Sequence, residues 1–223
     1  MHTLLINPNT REALTAELAA RLGALLPAGA APLHAATAAF GEAYIASEAS
    51  YVVAAHAVLD AWQRHVRAHG PPAAVLVACF GDPGVWALRE VAGVPVIGLA
   101  EAAMREAAQH GPYAVVTGGA AWQPMLQRLA RALSLDGPAG LQAVHTVAAN
   151  GDVLAGDPAR GVASLQQAID VLSAHIPMVR SVVLGGAALV AFAEQLHTPA
   201  GLPLIDSIAA GGRWLAGQAP LSL

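Results

Sequence analysis

Short apolar segments alternate with longer helical patterns along the whole chain. An apolar segment that is followed by a helix and then by another apolar segment is typical of a βαβ unit, and its repetition predicts parallel sheets. We predict strands at residues 3–7, 32–36, 74–79, 94–98, 113–117, 141–148, 180–185 and 203–206. We predict helices at residues 10–26, 42–69, 85–91, 100–109, 121–133, 161–175, 187–196 and 207–218, the first of them capped by Asn9.

The two halves of the chain resemble each other on either side of Gly111 and Pro112, a typical turn pair. Three apolar segments recur in the same order at a nearly constant separation: residues 3–7, 75–79 and 94–98 correspond to 113–117, 182–186 and 202–206. We therefore predict an α/β protein of two pseudo-symmetric lobes, residues 1–110 and 111–223, each a mostly parallel sheet flanked by helices. We expect a ligand cleft between the lobes, and the chain may cross back between them near its C-terminus.

The single cysteine of the chain, Cys79, falls at the end of a predicted strand. A turn separates it from the helix predicted to start at residue 85. Open α/β sheets bind ligands at the carboxyl ends of their strands, and a nearby helix N-terminus favours a thiolate. A cysteine can equally be a small buried hydrophobe, but the turn and the repeat favour a catalytic residue. Its counterpart in the repeat is Gly186, which has no side chain.

Composition excludes several classes of function. The chain has 223 residues and no lysine, so a Schiff-base lysine and a Walker lysine are both absent. Only 12% of the residues are charged and no basic run occurs, which argues against nucleic acid as a partner. No apolar stretch has the length of a membrane span. One unpaired cysteine fits a reducing cytoplasm, and the excess of alanine, arginine and proline is typical of a GC-rich bacterial genome.

The apolar character of the chain also favours self-association. We predict an apolar surface that includes four tryptophans, namely Trp62, Trp86, Trp122 and Trp214. We therefore expect a cytoplasmic homo-oligomer with no membrane partner.

Several motifs resemble the aspartate/glutamate/hydantoin racemase superfamily, nearest its hydantoin and allantoin racemase branch. The most specific are Ile-Asn-Pro-Asn-Thr at residues 6–10 and Ala-Cys-Phe-Gly-Asp-Pro-Gly at 78–84. Weaker ones are Val-Pro-Val-Ile-Gly at 94–98 with Glu-Ala-Ala-Met at 101–104, Val-Val-Thr at 115–117, Leu-Gly-Gly-Ala at 184–187 and Pro-Leu-Ile-Asp at 203–206. Together they span nearly the whole chain in the expected order.

The resemblance implies two lobes, no cofactor, and proton transfer at a carbon next to a carbonyl of a small molecule. In the family two cysteines face each other, one removing the α-proton as thiolate and the other returning a proton from the opposite face. Cys79 matches the first of these residues. The second falls on Gly186, so two-base racemisation lacks one of its groups here.

Residues at other predicted strand ends are candidates for holding the substrate. We expect backbone N–H groups of Phe80 and Gly81, and of Gly118 and Gly119, to stabilise an enolate oxygen. The remaining candidates are side chains or residues beside the site, namely Asn7, Thr10, Thr117 and Ala187. Capping or turn formation explains Asn7, Thr10 and Thr117 equally well. Asp82 is interpreted as an Asx-turn residue.

We also considered replacements for the missing second base. His145 and Asp206, both near predicted strand ends, are the candidates. His56, His65 and His69 lie on one long predicted helix and are interpreted as a packing or solvated face. No pair of residues has the cysteine and histidine spacing of a zinc site, so we predict no metal.

Four hypotheses of function remain open at this stage. The first is a cofactor-independent racemase that acts on a hydantoin-like or amino-acid-like substrate with Cys79 as acid/base. The second is a one-base lyase that resembles arylmalonate decarboxylase, in which a single cysteine delivers one proton to one face of an enolate. The third is a ligand-binding protein that has lost the reaction, and the fourth is a variant in which glycine has replaced the second cysteine.

Overall fold

The computed structural model describes residues 1–148, 153, 156–199 and 201–218. The strands are β1 (Thr3–Asn7), β2 (Leu33–Thr37), β3 (Val75–Val77), β4 (Val96–Gly98), β5 (Tyr113–Gly118), β6 (Leu141–Val147), β7 (Ser181–Leu184) and β8 (Leu204–Asp206). The α-helices are α1 (Glu12–Leu25), α2 (Glu48–His69), α3 (Val85–Ala92), α4 (Leu99–Ala108), α5 (Trp122–Ala132), α6 (Pro158–His175) and α7 (Ser207–Gln218). A 3-10 helix covers Val190–Gln195.

Three details of the predicted elements are wrong. The long helix α2 begins at Glu48 instead of residue 42, because Ser47 caps it: the Ser50 N–H donates to Ser47 Oγ at 3.2 Å and the Ser47 N–H to Ser50 Oγ at 3.0 Å. Asn9 does not cap α1, whose N-cap is Arg11. The segment predicted as a helix at 187–196 forms only the short 3-10 helix.

The first sheet is parallel throughout and has the strand order β2-β1-β3-β4. One face packs against α2 and α3 through a core that includes Leu4, Ile6 and Trp62. The opposite face packs against α1 and α7. A Cβ atom at Gly211 of α7 would lie 3.0 Å from Leu76 Cδ2, so glycine lets this helix approach the sheet closely.

The second sheet repeats this plan with the order β6-β5-β7-β8, again all parallel. Its core lies against α6 and the 3-10 helix and includes Val116, Leu165 and Phe192. On α4, the Ala107 carbonyl accepts a hydrogen bond of 3.2 Å from Ser181 Oγ of β7. The protein is therefore an α/β protein with two four-stranded parallel sheets flanked by helices.

Each sheet belongs to one compact unit. The first unit comprises residues 1–99 and the C-terminal helix from Ile208, and the second comprises Ala100–Ser207. The helix α4 directly follows β4 but packs in the second unit, while α7 directly follows β8 but packs in the first. The division between the units thus lies at residue 99 and again at 207, whereas the sequence analysis placed it at 110.

The internal repeat is visible in the register of the two sheets. Ile6, Val77 and Gly98 are aligned across β1, β3 and β4. The corresponding row of the second sheet consists of Val116, Leu184 and Asp206. Since Cys79 and Gly186 each lie two residues beyond this row, they occupy equivalent places in their own units.

The tryptophans do not form the apolar surface that the composition predicts. Trp62 and Trp122 are buried in the cores of their own units, because both lie on the sheet-facing sides of their helices. Trp86 is exposed, with the Arg89 guanidinium 5.1 Å above its ring. Among the described residues we find no helix with the length and apolar character that a membrane crossing requires.

Candidate active site

Cys79 lies in a tight turn at the carboxyl end of β3. The Asp82 N–H donates to the Cys79 carbonyl at 3.1 Å, and the Val85 N–H then donates to the Asp82 carbonyl at 3.3 Å. Gly81 has φ 143°, a region open mainly to glycine, which allows the chain to reverse here. Cys79 keeps some exposure, whereas Ala78 and Phe80 on either side are buried. The turn therefore presents this one residue at the edge of the sheet.

The surroundings of Cys79 oppose ionisation of its thiol, whereas the sequence analysis expected them to favour a thiolate. Burial raises its pKa well above the usual value, and the carboxylate of Asp82 raises the pKa further. Burial and Asp82 thus favour the protonated form of Cys79, which can donate a proton.

Asp82 is the residue of this site whose importance the sequence analysis missed. Asp82 is 2% exposed and adopts φ 59°, a left-handed conformation that is uncommon outside glycine. Its side chain occupies the space above Gly98 at the end of β4, where a Cβ atom would collide with it. The Tyr51 hydroxyl donates to its carbonyl at 3.4 Å. The sequence signal that could have identified Asp82 is a carboxylate three residues after a cysteine at a strand end.

Removing the charge of Asp82 tests its influence on the thiol. Asp82→Asn keeps the shape and a residue type that tolerates positive φ, so the fold should persist. We expect the pKa of Cys79 to fall, because the nearby negative charge is gone while burial is unchanged. The pH at which the rate of iodoacetamide alkylation begins to rise should therefore be lower than in the parent protein.

The control for this experiment is Asp60→Asn. This variant removes a carboxylate from α2, where Asp60 pairs with Arg64 at 2.8 Å. This variant should leave the alkylation profile unchanged. An unshifted profile in Asp82→Asn, or a shift to higher pH, would contradict the assigned interaction.

The backbone of the same turn offers hydrogen-bond donors. Among the described residues, no protein group accepts from the N–H of Cys79, Phe80 or Gly81. Phe80 is buried, and buried N–H groups are rarely left without a partner. Three consecutive donors in a turn form a concave site for an anion or a developing oxyanion.

The donors predicted in the second unit are only partly available. The Gly119 N–H donates to the Val147 carbonyl at 3.0 Å, which extends the pairing of β5 with β6. The expectation that Gly119 binds an oxyanion through this group is therefore wrong. Gly118 is the last residue of β5 and is buried, as is the preceding Thr117.

Asn7 is fully buried at the end of β1, and its side chain is occupied by the protein. Asn7 Nδ2 donates to Asn9 Oδ1 and to Thr15 Oγ1, both at 2.9 Å, and Asn7 Oδ1 accepts from the Asn9 N–H at 3.3 Å. These bonds fix the loop between β1 and α1. Thr10, in the same loop, is half-buried, and its N–H donates to the Glu42 carbonyl at 3.3 Å.

Gly186 forms the same turn in the second unit that Cys79 forms in the first. The Leu189 N–H donates to the Gly186 carbonyl at 2.9 Å, as Asp82 does to Cys79. Gly186 has φ 125°, and a Cβ atom there would lie 3.3 Å from Leu189 Cγ. Both Gly186 and the following Ala187 are half-buried. The second unit thus has neither a thiol nor a carboxylate at this place.

The two residues considered as replacements for the second base lie at different places in the second unit. Asp206 is the last residue of β8 and is half-buried. His145 lies within β6 and lines a cavity of about 390 Å³ together with Arg160, Ser164 and other residues of α6. Because His145 pairs with Val116, a core residue, it points to the face of the sheet that α6 covers.

Comparisons with known proteins agree with these features. A family model described as Asp/Glu/hydantoin racemase matches residues 4–213. A hydantoin racemase of Paenarthrobacter aurescens is 30% identical over 216 residues, which cover 96% of this chain and 89% of that protein. A hydantoin racemase of Rhizobium meliloti is 29% identical over 211 residues, covering 94% and 85% of the two chains.

Solved structures show the same fold. Allantoin racemase from Pseudomonas fluorescens superimposes with a TM-score of 0.86 and 25% identity, covering 97% of this chain and 90% of that one. Arylmalonate decarboxylase superimposes with a TM-score of 0.62 and 15% identity, covering 100% and 94%, a similarity of fold alone. The chain belongs to the Asp/Glu/hydantoin racemase family, in its hydantoin and allantoin racemase branch, and is a racemase-like enzyme.

Proposed function

We propose that the chain transfers a proton at a carbon α to a carbonyl of a small substrate, with Cys79 as the acid/base group and without a cofactor. The observation that carries the proposal is the turn after β3, where the half-buried Cys79 stands beside N–H groups that have no partner among the described residues. A hydantoin-like substrate is supported by the names of the relatives, with an amino-acid-like substrate next.

The chemistry requires stabilisation of the enolate more than it requires a strong base. An α-proton is weakly acidic, so negative charge develops on the carbonyl oxygen as the proton leaves. The N–H groups of Phe80 and Gly81 would donate hydrogen bonds to that oxygen, and each such donor is worth about 3 kcal/mol in the transition state. Cys79 then exchanges the proton with the α-carbon from one face.

The equivalent residue of the second unit, Gly186, has no side chain and cannot carry a proton. We propose that water supplies the second proton transfer, so racemisation is slower than with two thiols. Cys79 must lose its proton before it acts as a base, which adds to the barrier because its pKa is raised.

The raised pKa of Cys79 and the lack of a side chain at Gly186 favour one alternative, a one-base decarboxylase. Loss of CO₂ from a malonate breaks a C–C bond and leaves its electron pair as the enolate. Cys79 then donates its proton to the carbon and recovers a proton from water. This reaction begins with a protonated thiol and needs no second acid/base residue.

Incubation in D₂O distinguishes the candidate functions. Each enantiomer of a 5-substituted hydantoin is followed by NMR for α-deuterium and by polarimetry for rotation. Racemisation predicts deuterium uptake together with loss of rotation from either enantiomer, and uptake with retention indicates one-sided exchange. Release of CO₂ from a substituted malonate supports the lyase. Thermal stabilisation by these compounds without any reaction would overturn both proposals in favour of a binding protein.

A further inference from the structure

Four histidines from distant parts of the sequence meet at the amino end of the first sheet. His2 precedes β1, His34 lies in β2, and His65 and His69 belong to the last turns of α2. Side chains alternate along a strand, so His2 projects on the same face as Leu4, the face that α2 covers. The register pairs Leu4 with His34 and thereby places His34 on this face too.

The imidazoles are in direct contact. The ring centroids of His2 and His34 are 4.1 Å apart in a stacked arrangement, and those of His2 and His65 are 5.0 Å apart. The Nε2 atoms of His2 and His65 lie 2.8 Å from each other. His69 flanks the group, with its ring 4.9 Å from that of His65. The C-terminal end of α2, where His65 and His69 lie, thus completes the cluster.

Three of these rings have the spacing of metal ligands. One nitrogen each from His2, His34 and His65 lie within 4.8 Å of one another. Nitrogens bound to one tetrahedral Zn²⁺ at its usual bond length are about 3.3 Å apart, so small ring rotations bring the three into place. His65 is buried while His2 and His34 are half-buried, which leaves an open side for a fourth ligand.

The pKa values of two of the three rings are shifted in the direction of the neutral imidazole. Burial lowers the pKa of His65 to about 4, and repulsion by His2, His69 and His34 contributes. Burial, followed by repulsion from His34, lowers the pKa of His2 as well.

We propose that His2, His34 and His65 bind one divalent transition-metal ion of the zinc class. Imidazole donors suit Zn²⁺, Co²⁺ and Ni²⁺ and do not suit Mg²⁺ or Ca²⁺. The proposed site differs from the sequence analysis, which predicted no metal and interpreted His65 and His69 as a packing or solvated face. No ligand spacing was visible because the three donors come from the start of β1, from β2 and from α2.

The metal site is separate from the turn of Cys79. Cys79 follows the carboxyl end of β3, whereas His2 precedes the amino end of the parallel strand β1. A strand of this length spans roughly 15 Å, so one ion cannot contact both places. The bound ion would join the start of β1 to β2 and to the end of α2, and its expected effect is on stability.

Cobalt provides the direct test, because Co²⁺ in a site of low coordination number has visible absorption. The full chain without an affinity tag is freed of metal by a chelator, titrated with Co²⁺ at pH 7.5, and then challenged with Zn²⁺. We expect saturation at one equivalent, displacement by Zn²⁺, and a higher Tm in the presence of Zn²⁺. His34→Gln and His65→Gln should each weaken binding by about tenfold or more.

Two further variants serve as controls. His56→Gln removes another histidine of α2, one that is exposed and contacts Phe40, and it should bind as the parent does. Cys79→Ser should also bind one equivalent, which excludes the thiol as a ligand. Weak or absent saturation, or equal affinity in the parent and in His34→Gln, would overturn the proposal. His34 lies on an edge strand, so this variant decides the question even if the variant of buried His65 fails to fold.

Discussion

Replacing Cys79 with alanine is expected to abolish α-proton exchange into the substrate. A positioned acid/base group contributes about 10²–10⁴-fold to a rate, and among the described residues no other titratable side chain lies in this turn except Asp82. The N–H groups of the turn remain in the variant, so substrate binding should persist. The measurement is deuterium incorporation from D₂O at saturating substrate, compared with the parent protein.

The companion variant Cys79→Ser distinguishes chemistry from packing. A hydroxyl fills nearly the same volume but is a much weaker acid than a thiol, so this variant should be as inactive as Cys79→Ala. The free energy of unfolding of both variants should lie within about 1 kcal/mol of the parent value, because Cys79 keeps some exposure. Exchange that survives in either variant would remove Cys79 from the mechanism, and failure of both to fold would indicate a structural cysteine.

The second substitution with a large expected effect is Gly186→Cys, which should raise the rate of racemisation by about tenfold or more. The residue occupies the place in the second unit that Cys79 occupies in the first, so a thiol there adds an acid/base group. The structure also predicts a cost. At φ 125° any side chain is strained, by about 1–3 kcal/mol, and Leu189 must move slightly because its Cγ lies 3.3 Å from the new Cβ.

Gly186→Ala is the matched control, since it carries the same backbone strain without a thiol. A fall in Tm that both variants share, with faster loss of optical rotation in Gly186→Cys alone, is the expected result. Equal activity of the two variants on every α-carbonyl substrate tested would contradict the functional equivalence of Gly186 and Cys79. Circular dichroism of both variants confirms that the comparison is made between folded proteins.

Much of the fold could be predicted because it depends on local patterns. Buried parallel strands appear as short apolar runs, and β1 has the bounds that the pattern predicts, Thr3–Asn7. The internal repeat predicted the aligned rows of the two sheets, since a parallel register repeats whenever the strands and crossovers do. The start of α2 was less predictable, because an apolar pattern continues upstream of Ser47 while a side-chain cap decides where the helix begins.

The candidate site was predictable only in part. The position of Cys79 at a strand end follows from the motif around it. The sequence could not indicate that Gly119 uses its N–H in the sheet, because that bond is made to Val147, which lies in a different strand. Nor could it indicate the orientation of Asp82, which depends on the space left by Gly98 of β4.

The sequence by itself determined the class of fold, the family and the place of the lone cysteine, because periodicity and motifs are encoded by neighbours along the chain. Only the tertiary structure decided the direction in which the pKa of Cys79 is shifted, since burial and the charge of Asp82 depend on packing. The tertiary structure likewise decided that His2, His34 and His65 meet. Parallel strands bring together residues that many positions separate, and no local pattern records which side chains then face one another.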